Sequence, residues 1–435
     1  NGLSTGINVT AGEVTQANVI LAKISSGGSD GGNNSSGGNS SNGSNSGYSN
    51  TGTASTSHEP AASPLSTEFL KKAFEIAKAD KNGVKTVAIS SDAAVKTARG
   101  LEYVIPAEYL TSEIKTRRIR LEADAATIGI PGNMLTARDV GNAHNITICI
   151  SQVETGQLGS EMRKLVGTRP VIDLTAKVNN RVITWNNPDA PVTVYIPYTP
   201  TREEMLKKDN ITVWHLDDKG NATAVPSARY DSKAGGVIFN TTHFSKYAIA
   251  FVNKNFSDIK KASWMQTPVE IMAAKGIIEG TSETEFSPGE NITRGEFIAW
   301  LIKTLDIKAA VDSNFDDVDR TNKYYEQIGT AKKLGITAGV GENKFEADRR
   351  ISRQDMMVLT VKALRTVDNN LAAGTQEQLE KFSDKGKIAK YASADAATMV
   401  MLGYINGDGK NINPASFTTR AEAAAMLYSI YFKQQ

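Results

Sequence analysis

Three arginines in the C-terminal part of the chain each follow an aspartate at the same interval. The interval is 36 residues (294−258, 353−317 and 420−384), and the pairs are Asp258 with Arg294, Asp317 with Arg353, and Asp384 with Arg420. A guanidinium binds a carboxylate or a phosphate through two parallel hydrogen bonds, so each arginine is a candidate ligand for an anion. The alternative is structural, with each arginine forming an ion pair with the aspartate that precedes it.

Each arginine also lies inside a signal for the start of a helix. A Ser or Thr precedes it and an acidic residue follows two positions later, in the groups Thr293 and Glu296, Ser352 and Asp355, and Thr419 and Glu422. This pattern is a capping box, so we predict that Glu296 and Glu422 cap helices and do not contact a ligand. A cation at the first helical position opposes the helix dipole, so helix stability does not account for the arginine. We expect exposed amides at the helix start to add to an anion site, and Arg294→Ala to leave the fold intact.

The segments around these arginines are three copies of one pattern. Each copy begins with Phe-x-Asp, and a first glycine is followed four residues later by a second, namely Gly276 and Gly280, Gly335 and Gly339, and Gly403 and Gly407. A period of roughly 60 residues indicates stacked repeats. Each copy predicts a helix, a loop and a second helix, and in the first copy the first helix runs from Trp264 to Lys275 and ends at a glycine suited to a left-handed cap. Two helices cannot cover their own apolar faces, so we expect the copies to fold as one unit.

These motifs resemble the S-layer homology family over residues 256–432. The resemblance rests on the Asp at the start of each copy, the Gly-Ile-x-x-Gly turn, the segment Phe286-Ser287-Pro288 and the Thr/Ser-Arg-x-Glu/Asp element. It implies an all-α pseudo-threefold unit of three repeats, with a central helical bundle and grooves between neighbouring repeats. It further implies that these grooves bind a secondary cell-wall polymer, often through a pyruvylated amino sugar, and hold the protein on peptidoglycan outside the cell.

The resemblance also implies a set of polymer-binding residues. They are Asp258, Trp264, Gly280, Arg294, Asp317, Gly339, Arg353, Asp384, Tyr391, Gly407 and Arg420. Repeat two departs from the family at Lys323, which stands where the other repeats have Trp264 and Tyr391, and repeat three has Tyr404 after its glycine. We therefore expect Arg294 to contribute most to binding. The aspartates either cap the first helix or accept hydrogen bonds from sugar hydroxyls.

The composition argues against several other functions. The 435 residues carry 49 basic and 47 acidic side chains, a formal charge of +2, which argues against a dominant nucleic-acid-binding surface. The single cysteine, Cys149, excludes an intramolecular disulfide and is predicted to be buried in a strand. No apolar stretch approaches the roughly 18 residues of a membrane-spanning helix, so we expect no membrane insertion. The chain starts without Met or a signal peptide, and we therefore predict that it is the C-terminal portion of a longer exported protein.

The sequence predicts a multidomain chain. Residues 1–24 contain two strand-like runs around a glycine turn, and we interpret them as the end of an upstream β-sandwich. Residues 25–63 are rich in Gly, Ser and Asn and predict a flexible linker. Residues 64–252 predict a mainly-β spacer module, an antiparallel sandwich with one N-terminal helix capped by Ser66 or Thr67. The three repeats then occupy residues 253–310, 311–370 and 371–435.

The spacer module shows no sequence pattern for catalysis. Its histidines, at positions His144, His215 and His243, lack the spacing of metal ligands, and the module contains no nucleophile elbow or phosphate-binding loop. Asp217-Asp218 predicts a solvated turn. Trp185 and Trp214 predict core residues in preference to a sugar-stacking face.

Two functions follow from these patterns. The first is a non-catalytic anchor, without cofactor or metal, that binds secondary cell-wall polysaccharide and tethers a larger surface protein beside S-layer or other surface-protein neighbours. The alternative is the C-terminal part of a cell-surface glycan-processing enzyme, whose catalytic domain lies upstream or is the module at residues 64–252.

Overall fold

The computed structural model describes the backbone of Thr5–Thr10 and Glu13–Val19, and residues 65–259 and 263–433 in full. Thr5–Thr10 and Glu13–Val19 are strands β1 and β2, which pair antiparallel as the predicted hairpin requires. The predicted linker at residues 25–63 lies outside the described residues, so its flexibility stays a prediction.

Residues 65–252 form two β-sheets with short helices between the strands, and we call this region the β-module. Its helices are α1 (Thr67–Ile76), α2 (Ala137–Val140), α3 (Ser160–Val166) and α4 (Arg202–Leu206). Its strands are β3 (Lys85–Ile89), β4 (Val95–Thr97), β5 (Gly100–Pro106), β6 (Arg117–Glu122), β7 (Thr127–Pro131), β8 (Asn145–Gln152), β9 (Val171–Val178), β10 (Arg181–Val182), β11 (Val192–Pro197), β12 (Ile211–Leu216), β13 (Ala222–Ala224), β14 (Arg229–Asp231), β15 (Gly236–Thr241) and β16 (Lys246–Phe251). The predicted Ser66 cap is confirmed, because its side chain accepts a hydrogen bond from the backbone of Phe69 at 3.1 Å.

The two sheets differ from the predicted architecture in one strand pair. One sheet has the order β13-β12-β16-β9-β8-β5-β4 with β10 paired to β9, and the other has the order β14-β15-β11-β7-β6-β3. All pairs are antiparallel except β3 with β6, which are parallel. The chain leaves β3, forms β4 and β5 in the other sheet, and returns to β6 in the same direction. Such a crossover connection produces a parallel pair, which the strand pattern alone could not indicate.

The two sheets share one hydrophobic core. In β6, Ile119 and Leu121 are buried while the alternate residues lie on the opposite face, as the period of two in a strand requires. Cys149 in β8 is buried, and burial raises the pKa of its thiol. Trp185 is also buried and donates a hydrogen bond from Nε1 to the carbonyl of Met134 at 2.6 Å. Both core predictions are thus confirmed.

The C-terminal region is helical, with two helices in each repeat. These are α5 (Ser263–Ala274) and α6 (Arg294–Thr304), α7 (Tyr325–Lys333) and α8 (Arg353–Val367), and α9 (Ser393–Met401) and α10 (Arg420–Lys433). The glycine cap predicted at Gly276 is confirmed by its φ angle of +66°, and Gly335 and Gly403 occupy the same place in the other repeats with φ angles of +70° each. The helices α6, α8 and α10 all begin at the recurring arginines.

The three repeats are joined by a closed set of backbone hydrogen bonds. The amide of Ile351 donates to the carbonyl of Ile292 at 3.1 Å. The amide of Thr418 donates to the carbonyl of Ile351 at 3.2 Å, and the amide of Ile292 donates to the carbonyl of Thr418 at 3.0 Å. Each repeat therefore donates one bond to a neighbour and accepts one from the other. A single cluster of buried side chains, from Phe256 to Tyr431, extends through all three repeats.

The β-module is in direct contact with the helical region. The Nζ atom of the fully buried Lys275 donates to the carbonyls of Ile211 at 3.1 Å and Ala228 at 2.9 Å. The hydroxyl of Tyr431, in the last helix, donates to Ala228 at 3.3 Å. These bonds come from repeats one and three and converge on one edge of the β-module.

Candidate functional site

The recurring aspartates hold the loops that precede the second helices. Each carboxylate accepts bonds from two consecutive backbone amides: Asp258 from Phe286 at 3.0 Å and Ser287 at 2.7 Å, Asp317 from Phe345 at 2.8 Å and Glu346 at 2.7 Å, and Asp384 from Ile412 and Asn413 at 2.9 Å each. The second amide in each pair belongs to a residue with a left-handed φ of 55–57°. Burial opposes ionisation of Asp317, but the two amides outweigh it and lower its pKa.

These bonds decide among the roles predicted for the aspartates. None of the three carboxylates forms an ion pair with a recurring arginine in the described part of the chain, so the structural alternative of an Asp–Arg pair is wrong. None caps the first helix of its repeat either, because the accepted amides lie 28 and 29 residues downstream.

The second glycine of each repeat is required by close packing. A Cβ atom at Gly280, Gly339 or Gly407 would lie 2.6–2.7 Å from the ring of the Phe that begins the repeat. It would also lie 2.2–2.5 Å from a loop carbonyl. Both distances are far below van der Waals contact, so the structure explains these glycines by the path of the loop.

The amides at the starts of the second helices are occupied by neighbouring repeats. The backbone amide of each arginine donates to a backbone carbonyl of a neighbouring repeat at 2.8 Å. The pairs are Arg294 with Arg349, Arg353 with Ser416, and Arg420 with Glu290. The next backbone amide in each helix also donates to a backbone carbonyl in a loop of the neighbouring repeat. These pairs are Gly295 with Ala347, Gln354 with Pro414, and Ala421 with Pro288. The expectation that these amides are exposed for an anion is therefore wrong. We call the three contacts junction 1 (Arg294), junction 2 (Arg353) and junction 3 (Arg420).

Junction 3 is closed, because every nitrogen of the Arg420 guanidinium has a protein partner. Nε donates to the carbonyl of Phe286 at 2.8 Å, Nη2 donates to that of Glu279 at 2.6 Å, and Nη1 pairs with the carboxylate of Glu296. The guanidinium also lies over the rings of Phe286 and Trp300. The residue is only 3% exposed. Arg420 was predicted to bind polymer, but its donors are already used within the protein.

Junction 2 is partly occupied. Nη1 of Arg353 donates to Oε1 of Glu422 at 3.3 Å. The other carboxylate oxygen of Glu422 accepts from the amide of Thr419 at 2.9 Å, which completes the predicted capping box. The acid that caps one helix thus also pairs with the arginine of the neighbouring repeat. Glu296 also pairs with the arginine of a neighbouring repeat, Arg420, but among the described residues its carboxylate does not return to the backbone of its own helix start, so the capping role predicted for Glu296 does not hold.

Junction 1 leaves most of its guanidinium available. Nε of Arg294 donates to the carbonyl of Phe345 at 3.0 Å, and the guanidinium lies 4.9 Å from the centre of the Phe345 ring. Among the described residues, its two terminal nitrogens have no hydrogen-bond or ion-pair partner. Burial lowers the pKa of Arg294, and the charge of Asp355 opposes this. The residue is only 7% exposed, so we now expect Arg294→Ala to lower stability, in contrast to the expectation from the sequence.

An exposed tyrosine from the third repeat completes junction 1. The hydroxyl of Tyr391 donates to Oδ1 of Asp355 at 2.6 Å, and burial together with this carboxylate raises the pKa of Tyr391 to about 12. Tyr391 is 60% exposed, and Trp264, at the same position of repeat one, is 56% exposed. Arg294 and Tyr391 were both predicted from the sequence. Asp355 was missed, because its capping position accounted for it and its partner lies in another repeat.

A larger groove lies between the β-module and repeats one and two. It has a volume of about 1010 Å³, and its lining includes Trp214, Lys254, Gly280 and Lys303. Trp214 is half-buried, so the predicted core position does not hold for it. Of the predicted polymer-binding residues, only Gly280 lines this groove. The sequence contains no signal for it, because its two walls come from different domains.

The polar groups of the β-module form no catalytic constellation in the described residues. His215 and His243 lie with ring centres 4.6 Å apart, and burial lowers the pKa of His243 to about 4. His215 Nε2 is 3.0 Å from Ser245 Oγ, but this hydroxyl donates to the carbonyl of Leu216. Asp217 accepts from the amides of the following turn, as predicted. No cluster of three metal-ligating side chains occurs between residues 65 and 433 as described.

Comparisons with known proteins identify the repeats. Residues 255–298, 314–357 and 381–424 each match the S-layer homology domain. The chain is 28% identical over 329 residues to an amylopullulanase of Thermoanaerobacterium thermosulfurigenes, an alignment that covers 74% of this chain and 17% of the relative. It is 34% identical over 184 residues to the exoglucanase XynX of Acetivibrio thermocellus, an alignment that covers 41% of this chain and 16% of the relative. It is 26% identical over 176 residues to a surface-layer 125 kDa protein of Lysinibacillus sphaericus, an alignment that covers 39% of this chain and 14% of the relative.

The chain thus spans between 14% and 17% of the length of these three relatives. The alignment with the amylopullulanase is longer than the 170 residues from 255 to 424 (424−255+1), so the similarity extends into the β-module. None of the helices in the described regions is long and apolar enough to cross a bilayer.

Proposed function

We propose that this chain, which carries three tandem S-layer homology repeats at residues 255–424, is a non-catalytic anchor that binds an acidic secondary cell-wall polymer. The repeats and the surface-layer relatives indicate an extracellular location at the cell wall. We propose that the repeats, at residues 253–310, 311–370 and 371–435, act as one pseudo-threefold unit. The β-module at 64–252 then serves as the spacer that connects this unit to the anchored surface protein.

Junction 1 supports this proposal most directly. Arg294 presents two guanidinium nitrogens without a partner among the described residues, and the exposed Tyr391 is bonded to Asp355, whose charge acts on Arg294. Two parallel N–H groups match the geometry of a carboxylate, and a pyruvyl group on a sugar supplies a carboxylate. An exposed aromatic ring can pack against the apolar face of the sugar. We therefore assign polymer contact chiefly to Arg294, Tyr391 and Trp264. The recurring aspartates and glycines form the loops around the grooves.

The test is sedimentation with purified cell wall. Trp264→Ala and Tyr391→Ala are the sharpest variants, because both side chains are more than half exposed and their removal leaves the core intact. We expect each to weaken binding, and the double variant to weaken it by about 10-fold, or about 1.4 kcal/mol. Binding at several grooves reduces the effect of any single change. Walls stripped of their secondary polymer should retain none of the variants and no wild-type protein.

The matched control is Val367→Ala. Val367 is 47% exposed and ends α8, whereas Arg353 begins it, so about 21 Å of helix separates it from the junctions. This variant should sediment like the wild type. Unchanged sedimentation of the double aromatic variant, or equal binding to stripped and intact walls, would contradict the proposal.

A second candidate concerns the longer protein. The similarity to an amylopullulanase, an exoglucanase and an endoglucanase favours a polysaccharide-degrading enzyme that is anchored by this chain. We place the catalytic domain outside residues 64–435, because the β-module offers no catalytic constellation in its described residues. The isolated chain should release no reducing sugar from starch, xylan or cellulose. Release that a substitution within the β-module abolishes would show that the module itself is catalytic.

A further inference from the structure

The outer face of the six-stranded sheet contains a cavity that the anchor function does not use. It has a volume of about 130 Å³. Its polar lining consists mainly of Asp80, Thr86, Arg118, Arg120, Thr127 and Thr193. Because Ile119 and Leu121 of β6 point into the core, the strand alternation places Arg118 and Arg120 together on this face.

Arg118 is half-buried, and its guanidinium has no partner among the described residues. Its Nε is buried and has no hydrogen-bond partner, and no other nitrogen of the side chain forms a hydrogen bond or ion pair within the described residues. Burial lowers the pKa of this guanidinium, and the charge of Asp80, in the same lining, only partly opposes the effect. Burying a charged donor without a partner costs free energy, so such a group in a native structure needs an explanation.

Other polar groups at the cavity are already engaged. Oδ1 of Asp80 accepts from the amides of Asn82 at 2.8 Å and Val84 at 2.9 Å. The hydroxyl of Thr193 donates to Oδ1 of Asn240 at 3.0 Å. Nη2 of Arg120 pairs with Glu122 at 2.5 Å, which compensates that charge. Arg118 is therefore the cation of this lining whose nitrogens have no partner among the described residues.

A glycine keeps the space beside Arg118 open. A Cβ atom at Gly129 would lie 3.3 Å from Cδ of Arg118 and 3.9 Å from Cβ of Thr193. Any larger side chain at this position would fill the cavity between the two residues. The volume is close to that of an engineered cavity of about 150 Å³ that holds benzene, so it admits the carboxylate end of one sugar unit and not a polymer segment.

We propose that this cavity binds the carboxylate of a single acidic sugar unit, with Arg118 as the anion ligand. A carboxylate offers two oxygens to the planar guanidinium of Arg118, whose nitrogens have no partner in the described residues. A phosphate monoester carries about −1.5 to −2 at neutral pH and fits less well beside Asp80 and Glu122. The threonine hydroxyls of the lining suit a hydroxylated ligand. This site is separate from the repeats, and its existence does not depend on the anchor function.

Calorimetric titration of the full chain with sodium glucuronate tests this site, with glucose and inorganic phosphate as comparison ligands. We expect saturable binding of glucuronate and none of glucose. Arg118→Met should weaken glucuronate binding at least about 10-fold, as expected for loss of a charge-assisted contact, and Arg118→Lys should weaken it less. Arg181→Met is the control, because Arg181 is exposed on β10 of the other sheet, and it should bind like the wild type.

A thermal melt separates this role from a structural one. Since Arg118 has no partner to lose, Arg118→Met should not lower the melting temperature, and removal of the desolvated charge should tend to raise it. A lowered melting temperature would return Arg118 to a structural role. Absence of glucuronate binding, binding of phosphate alone, or glucuronate binding that Arg118→Met leaves unchanged would each overturn the proposal.

Discussion

At the scale of single residues, the recurring arginines occupy the same position in each repeat but have different surroundings. The residue that precedes the left-handed loop position is Phe286 in repeat one, Phe345 in repeat two and Ile412 in repeat three. Arg420 and Arg294 lie over these aromatic rings, whereas Arg353 has no such ring contact among the described residues. The acid of the neighbouring repeat also differs: the two Glu side chains reach the arginines and pair with them, while the shorter Asp355 pairs with Tyr391.

These differences predict unequal costs of removing the arginines. Arg420→Ala should lower the free energy of unfolding by about 3–5 kcal/mol, because it leaves the Glu296 carboxylate and two buried carbonyls without partners. Arg294→Ala removes one hydrogen bond and should cost about 1.5–3 kcal/mol. Chemical denaturation of both variants measures the difference. Equal costs, or a larger cost for Arg294→Ala, would show that the junctions are energetically alike.

At the scale of elements, the starts of α6, α8 and α10 depend on neighbouring repeats. In each helix the first two amides donate to carbonyls of another repeat, and the third is satisfied by the local Thr or Ser cap. Helix starts need partners for their free amides. Each repeat therefore lacks some of the acceptors for its own second helix. Repeat one supplies them to repeat three, repeat three to repeat two, and repeat two to repeat one.

This arrangement predicts that the three repeats unfold together. Deleting residues 371–435 removes the acceptors for α8, and it also removes the side chains of α10 that contact α5. We expect repeats one and two to lose their thermal transition or to melt at a clearly lower temperature. Deletion of residues 1–63 is the control and should leave the transition of the repeats unchanged. If residues 253–370 melt at the wild-type midpoint after the C-terminal deletion, the repeats are independent units.

At the scale of the whole molecule, a buried lysine joins the two domains. Lys275 is fully buried and donates to two carbonyls of the β-module, and Asn240 of the β-module donates to Asp306 of repeat one at 3.0 Å. Burial lowers the pKa of Lys275 to about 8, with the charge of Asp209 opposing it. The folded protein therefore releases this proton at a lower pH than the unfolded chain does, whose Lys pKa is 10.5.

The lowered pKa predicts how stability changes with pH. Between about pH 8 and pH 10.5 the unfolded state binds more protons at Lys275 than the folded state, so the contribution of this group to stability rises with pH in that window. The free energy of unfolding of the wild type minus that of Lys275→Met should therefore increase, on the order of 2 kcal/mol between pH 7 and pH 10. Lys254→Met, at an exposed position, should show no such change. A difference that stays constant across this range would contradict the lowered pKa.

The sequence by itself determined the features that depend on local pattern. The repeats, their helices, the glycine cap at Gly276, a cap at Ser66 or Thr67 and the buried Cys149 all follow from residue spacing and from the conformational preferences of short segments. The same reasoning identified Arg294 and Tyr391 as candidate ligands. It could not show that both lie near Asp355 of repeat two, because they belong to repeats one and three.

Tertiary structure decided which donors and acceptors remain available. The fixed interval of 36 residues suggested an Asp–Arg pair within each repeat, but each aspartate binds the loop amides and two of the arginines pair with acids of the neighbouring repeat. The parallel pair of β3 and β6, the cavity at Arg118 and the buried Lys275 likewise join residues far apart in the chain. A hydrogen-bond partner is set by distance in space, and only the packing of repeats and sheets brings these groups together.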